Sequence, residues 1–301
     1  MIKVSNLFKT IGEKEILKDL SIHVETGSIY GLVGQNGSGK TTVIKHMAGV
    51  YKPDSGRILY DGSPVWENPS VKDRIGYIPD DLTSMNAYTM KEAAHYCASI
   101  YSEWDQERFD RMSGSLGLDM KIKLKDFSKG VRKQAAFALI LSLRPKYVLL
   151  DEPVDGLDPV VRRVIWKALL KDVSENGTSI LVSSHNLNEI ENVCDTVGII
   201  ESGSIVLERK LADIKNDVHK LQLALPEKAD PAQILRDAGL TVLGSENYGS
   251  VSRVIVKGSK NEIRSVIRDL DPVVFDILPM TLEEIFIVEQ EAVHGVRNIF
   301  I

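Results

Sequence analysis

The sequence predicts an α/β fold: a mixed sheet interrupted by a helical insertion, followed by a small α+β domain. Three observations carry this expectation. Short apolar runs of strand type alternate with segments of helical spacing along most of the chain, the pattern of a mostly parallel sheet. A stretch from about residue 89 to 143 has helical periodicity and few strand signals. Near Leu211 the strand-and-helix pattern restarts on a smaller scale. The 301 residues, 43% hydrophobic and 26% charged, suit one large globular domain or two ordinary ones.

In order along the chain, Ile2, Val4 and Leu7 alternate as a strand, and so do Leu20, Ile22 and Val24, with Gly12-Glu13-Lys14 as a hairpin turn between them. Ile29 to Val33 is a short buried run. A glycine-rich loop, Gly34 to Gly39, follows it, and Lys40 to Gly49 continues at helical spacing through Val43, Ile44 and Met47. Arg57–Tyr60 and Ile75–Ile78 read as strands bounded by glycine and proline. Helices are expected over Lys91–Tyr101, Gln106–Leu116 and Val131–Leu143 within the insertion. Strands then resume at Tyr147–Leu150, Ser179–Ser183 and Val197–Glu201, with helices Val160–Asn176 and Leu187–Val193 between them.

Past Leu211–Asp217, the strands expected are Leu221–Leu225, Arg253–Val256 and Val273–Leu278. The helices expected are Pro231–Ala238, Lys260–Leu270 and Thr281–Gln290. The resulting division is a first domain over 1–215, an α+β domain over 216–290 and a tail over 291–301.

The net charge of −5 opposes a sequence-independent nucleic-acid binder, which needs a basic excess. Cys97 and Cys194 form neither a disulfide framework nor a zinc spacing, which suggests a reducing compartment. No apolar run approaches the ~20 residues of a membrane span. The longest candidate, Ala135–Leu143, contains Ser142, and the N-terminus lacks the apolar core of a signal peptide. A cytoplasmic chain without its own membrane anchor is the expectation.

The chemistry concentrates in a few places. Gly34-Gln35-Asn36-Gly37-Ser38-Gly39-Lys40-Thr41 fits the phosphate-binding loop G-x-x-x-x-G-K-[ST]. Its glycines let backbone N–H groups turn inward, the following helix adds the positive end of its dipole, Lys40 suits the terminal phosphates and the Thr41 hydroxyl suits Mg²⁺. Tyr147-Val-Leu-Leu-Asp151-Glu152-Pro153 is an apolar strand ending in two acids. Asp151 is the expected metal partner, and Glu152 the general base that polarises an attacking water.

These features, followed through Phe127-Ser128-Lys129-Gly130-Val131, Asp155-Gly-Leu-Asp158 and Ser184-His185, resemble the nucleotide-binding subunit of an ABC transporter over about residues 1–215. The resemblance implies a P-loop ATPase with Gly34–Thr42 (Thr42 included) around ATP and Mg²⁺. It implies that Ser128, Lys129 and Gly130 stand where the family carries its LSGGQ signature, which faces ATP held on a second ATPase subunit, identical or a paralogue. Asp158 matches the loop that communicates between the two sites, and His185 the switch histidine that contacts the γ-phosphate. Transmembrane permease subunits are the implied partners, with this chain peripheral on the inner face of the membrane. The Ser-Lys-Gly form of the signature and the C-terminal domain resemble subunits of the drug- and antibiotic-export type.

Two positions depart from the pattern. Asp80, followed by Asp81, replaces the usual metal-binding glutamine after Ile75-Gly-Tyr-Ile-Pro79, so a metal contact through Asp80 is an expectation of its own. Ile11 falls where an aromatic would stack on adenine, with Tyr30 a weaker substitute, so base selectivity, ATP against GTP, stays open. A soluble ATPase acting on DNA or the ribosome is the competing reading. It is opposed by the acidic charge, the single phosphate loop and the short span between Lys40 and Asp151, which leaves no room for a long coiled coil. A GTPase or small-molecule kinase would leave the signature and switch histidine unexplained, and there is no N-K-x-D guanine motif. The C-terminal domain shows no catalytic constellation and reads as a dimerising or regulatory module.

Overall fold

The computed structural model describes residues 1–80, 85–225 and 230–294; Asp81 and the end of the expected tail, from 295, lie outside the described residues. Two compact units divide the chain, one over Met1–Glu208 and the other from Arg209 onward.

The first unit opens with β1 (Ile2–Ile11) and β2 (Lys14–Val24), then β3 (Ile29–Val33), α1 (Lys40–Met47), β4 (Ser55–Tyr60), β5 (Ser63–Pro64), α2 (Pro69–Lys72) and β6 (Ile75–Ile78). The insertion contributes α3 (Met90–Ile100), α4 (Gln106–Ser115) and α5 (Lys129–Leu141). β7 (Tyr147–Leu150), α6 (Pro159–Asn176), β8 (Ser179–Ser184), α7 (Leu187–Ile190), β9 (Thr196–Glu201) and β10 (Ser204–Lys210) follow. β2-β1-β4-β5 make a four-stranded antiparallel sheet, and the second sheet runs β10-β9-β3-β8-β7-β6.

β9, β3, β8, β7 and β6 are all parallel, so their carboxyl ends share one edge of the sheet. In an open parallel sheet that edge is where ligands bind. β3 and β8 at its centre are buried at every position, as their unbroken apolar or small sequences require. Between the two sheets and α1 lies one core, with Leu7, Leu17, Leu32, Ile44, Tyr60, Tyr147 and Leu149 among its members.

The insertion has its own core, including Met90, Cys97, Phe109, Leu124, Phe127 and Leu139. α3 starts on a capping box, Thr89 with Glu92. α5 starts two residues earlier than its apolar periodicity indicates, because the Ser128 side chain caps it by accepting from Val131 N–H at 3.3 Å. A buried fork joins the insertion to α6: Arg108 donates to both carboxylate oxygens of Asp172, at 2.8 and 2.5 Å.

The second unit contains α8 (Leu211–Asp217), β11 (Val218–Ala224), α9 (Pro231–Asp237), β12 (Thr241–Tyr248), β13 (Val251–Lys257), α10 (Lys260–Leu270), β14 (Val274–Leu278) and α11 (Leu282–His294). Its antiparallel sheet, β12-β13-β11-β14, packs Leu221, Leu223, Val254 and Val256 against Leu235, Ile263 and Ile267. Among the described residues no helix is long and apolar enough to cross a membrane.

Candidate functional site

The loop Gly34–Gly39 leaves the carboxyl end of β3 and closes onto α1. At Gly34 a Cβ would meet the Ile200 carbonyl at 2.4 Å, so the chain can pass here only as glycine. Gly37 and Gly39 take φ of 84° and 113°, the left-handed region that side chains disfavour. Lys40 is buried, and its ammonium curls back inside the loop, donating to the Gly34 carbonyl at 2.6 Å and the Gln35 carbonyl at 3.2 Å. Ser38 Oγ is buried and has no hydrogen-bond partner among the described residues. A cation, a backbone turn rich in N–H groups, a helix N-terminus and an orphaned hydroxyl together suit a phosphate chain.

The acids at the end of β7 meet this loop. Glu152 lies in the left-handed region at φ 47°. Its Oε1 is 3.3 Å from Lys40 Nζ, and its Oε2 is 2.9 Å from His185 Nδ1, at the end of β8. Three residues far apart in the chain thus converge because β3, β8 and β7 are adjacent and parallel. Asp151 is 1% exposed; burial pushes its carboxyl above the usual range, the Ser183 and Thr41 hydroxyls partly offset this, and the Glu152 and Asp80 charges add to it. A buried carboxylate with hydroxyl neighbours and excess negative charge fits Mg²⁺, which takes one or two carboxylates and completes its shell with water and phosphate. Among the described residues no group of three or more His, Cys, Asp or Glu could form an all-protein metal cage.

The remaining predicted residues fall in distinct places. Ser128, Lys129 and Gly130 form the start of α5, and a Cβ on Gly130 would stand 3.1 Å from the Gly156 carbonyl. Asp158 is the N-cap of α6, accepting from Val160 and Val161 N–H at 3.0 Å. Asp80 lies beside two lysines: its Oδ1 is 3.3 Å from Lys129 Nζ and 3.1 Å from Lys133 Nζ. Ile11 ends β1 opposite Lys14 and is 49% exposed. Two other hairpin residues, Ile16 and Leu17, lie against the phosphate loop, with atoms 3.4 and 3.0 Å from a Cβ placed on Gly39. Tyr30 is buried and donates to Glu208 at 3.0 Å, so its ring is committed to the sheet.

Two residues of the site were not foreseen. Ser183 Oγ donates to Asp151 Oδ1 at 2.9 Å and accepts from Glu152 N–H at 3.0 Å, bridging the two acids. Its sequence signal is a hydroxyl pair, Ser183-Ser184, closing a strand directly after the apolar run Ile180–Val182. Lys133, 4% exposed, donates to the carbonyls of Glu152 at 2.6 Å and Asp155 at 3.1 Å. Nothing local marks it, because its partners come from another element.

A glycine loop between a buried parallel strand and a helix, with acids at the end of a nearby strand, is the arrangement of P-loop nucleotide-binding proteins. The sequence profile described as ABC transporter matches residues 17–155. The ABC transporter ATP-binding protein YtrB of Bacillus subtilis (strain 168) is 34% identical over 287 residues, 95% of this chain and 97% of its own length. The bacitracin transport ATP-binding protein BcrA of Enterococcus faecalis is 31% identical over 217 residues, 71% of this chain and 70% of its own. Among solved structures, an ATP-binding subunit of an ABC transporter superposes with a TM-score of 0.65 at 26% identity, covering 71% of this chain and 92% of that one. The chain belongs to the ABC transporter ATP-binding family, whose cassettes bind ATP, hydrolyse it to power transport and act as dimers with transmembrane permease partners.

Proposed function

We propose that this chain is the ATPase of an exporter, working from the inner face of the membrane through a separate permease and paired with a second ATPase subunit. The convergence of Lys40, Glu152 and His185 on one point carries the catalytic part of the reading. The lantibiotic and bacitracin transport proteins among its relatives support a transport role; the export direction rests on the Ser-Lys-Gly form of the signature and on the C-terminal domain.

In this reading the Gly34–Thr42 segment cradles the phosphates of ATP. Phosphate oxygens compete with Glu152 for the Lys40 ammonium, and their arrival frees the Glu152 carboxylate to polarise water. His185 holds the other Glu152 oxygen and so keeps the carboxylate aimed. Thr41 and Asp151 are the residues that would hold Mg²⁺, which when bound neutralises charge on the β- and γ-phosphates. Ser128 and Gly130, at the free N–H end of α5, face the nucleotide of the partner subunit. Each site is then complete only when two subunits close, and hydrolysis releases them to move the permease.

Glu152→Gln tests the reading. It should keep ATP binding while lowering hydrolysis by about 10²–10⁴-fold, the usual worth of a general base. Retention of full turnover would remove Glu152 from that role.

A further inference from the structure

Asp80 stands where the family pattern carries glutamine, and Lys129 where it carries glycine. The fold brings these two departures together. Asp80 Oδ1 is 3.3 Å from Lys129 Nζ and 3.1 Å from Lys133 Nζ, and Lys129 also pairs with Asp155 Oδ2 at 3.4 Å. The lysines sit four residues apart on one face of α5, at the helix end whose dipole is positive, with no acid in the first turn. That placement is unfavourable unless external acids balance it. Lys133 is buried, and its ammonium has three oxygens within 3.1 Å: the Asp80 carboxylate and the carbonyls of Glu152 and Asp155. Two positive charges on the Asp80 carboxylate oppose a divalent cation there.

We propose that Asp80 is a positioning residue for the signature helix: it clamps Lys129 and Lys133, and through Lys133 ties the start of α5 to the backbone of Glu152. The charge pair takes the place of a metal contact at position 80. The clamp sets where Ser128 and Gly130 stand relative to the catalytic strand end, and so governs how readily two subunits close on ATP. This rests on the reading that a second subunit completes the site.

The test uses the full-length Glu152→Gln protein, with ATP-driven dimerisation followed by light scattering. Adding Asp80→Asn should raise the ATP concentration for half-maximal dimer by about three- to tenfold, equivalent to ~0.7–1.4 kcal/mol. Asp80→Glu should restore it to within about twofold, and the Mg²⁺ concentration for half-maximal dimer should not move. An unshifted ATP requirement, or a raised Mg²⁺ requirement in Asp80→Asn, overturns the clamp. If Glu152→Gln alone fails to dimerise, the paired-subunit reading fails instead. Thermal-unfolding cycles pairing Asp80→Asn with Lys129→Met, and with Lys133→Met, then decide: strictly additive effects refute the clamp, and coupling supports it.

Discussion

Ser183→Ala should damage stability and turnover together. The hydroxyl is fully buried and makes two bonds, to Asp151 Oδ1 at 2.9 Å and from Glu152 N–H at 3.0 Å. Alanine leaves a buried carboxylate oxygen without that donor and a backbone N–H without its acceptor. Each unsatisfied group costs about 1–3 kcal/mol, so a total of about 2–6 kcal/mol is expected, lowering Tm by roughly 4–15 °C at this chain length. The same bonds hold Glu152 in its left-handed backbone conformation and fix the Asp151 carboxyl. Loosening them should reduce kcat by about 10- to 100-fold, equivalent to ~1.4–2.7 kcal/mol of lost transition-state stabilisation, with KM for ATP changed by less than about threefold. Thermal unfolding and steady-state ATPase assays read both. An unchanged Tm with kcat within about twofold of the parent would refute the bridging role of Ser183.

Three further outcomes follow from the same geometry. Asp151→Asn should raise Tm without Mg²⁺ or nucleotide, because it removes a buried charge while keeping an acceptor for Ser183; a lower Tm would contradict the excess charge argued for this strand end. Arg108→Met should cost about 3 kcal/mol in urea unfolding by leaving Asp172 buried and unpaired except for Asn176, and Arg108→Met/Asp172→Leu should recover most of it; equal loss in both would reject the pairing. Asp61 accepts from Lys146, the N-terminal amine and Tyr147, which hold its carboxyl far below the usual range. Its stabilisation is present above about pH 4 and lost as pH falls through the folded value. The Tm gap between the parent and Asp61→Asn should therefore close in acid, and a gap independent of pH would exclude the effect.

The legible parts of this chain are those fixed by local pattern. β3, the glycine loop and α1 follow one another as the sequence predicts, since a parallel buried strand must be apolar and the loop's glycines are required by close backbone approach. β7 and its acids are legible for the same reason. The strands left unassigned, β5, β10 and β12, have no buried residue, so they lack the apolar alternation that marks a strand. α7 ends at Ile190, short of the Val193 its apolar residues indicated. Within the site, the partners of Asp80 and Lys133 were hidden because they depend on how the insertion packs against the sheet. The approach of Ile16 and Leu17 to the phosphate loop was hidden because the bulged register of the β1–β2 hairpin sets where its residues lie.

The central proposal is that each ATP site is closed by two copies of this chain, Lys40 and Glu152 from one and Ser128 from the other. The direct measurement is the mass of full-length Glu152→Gln by light scattering with and without ATP and Mg²⁺. The account predicts a monomer of 33.4 kDa without nucleotide, a doubling of mass with it, and no doubling when Ser128→Arg is added. A protein that binds ATP and remains monomeric at saturation would contradict it.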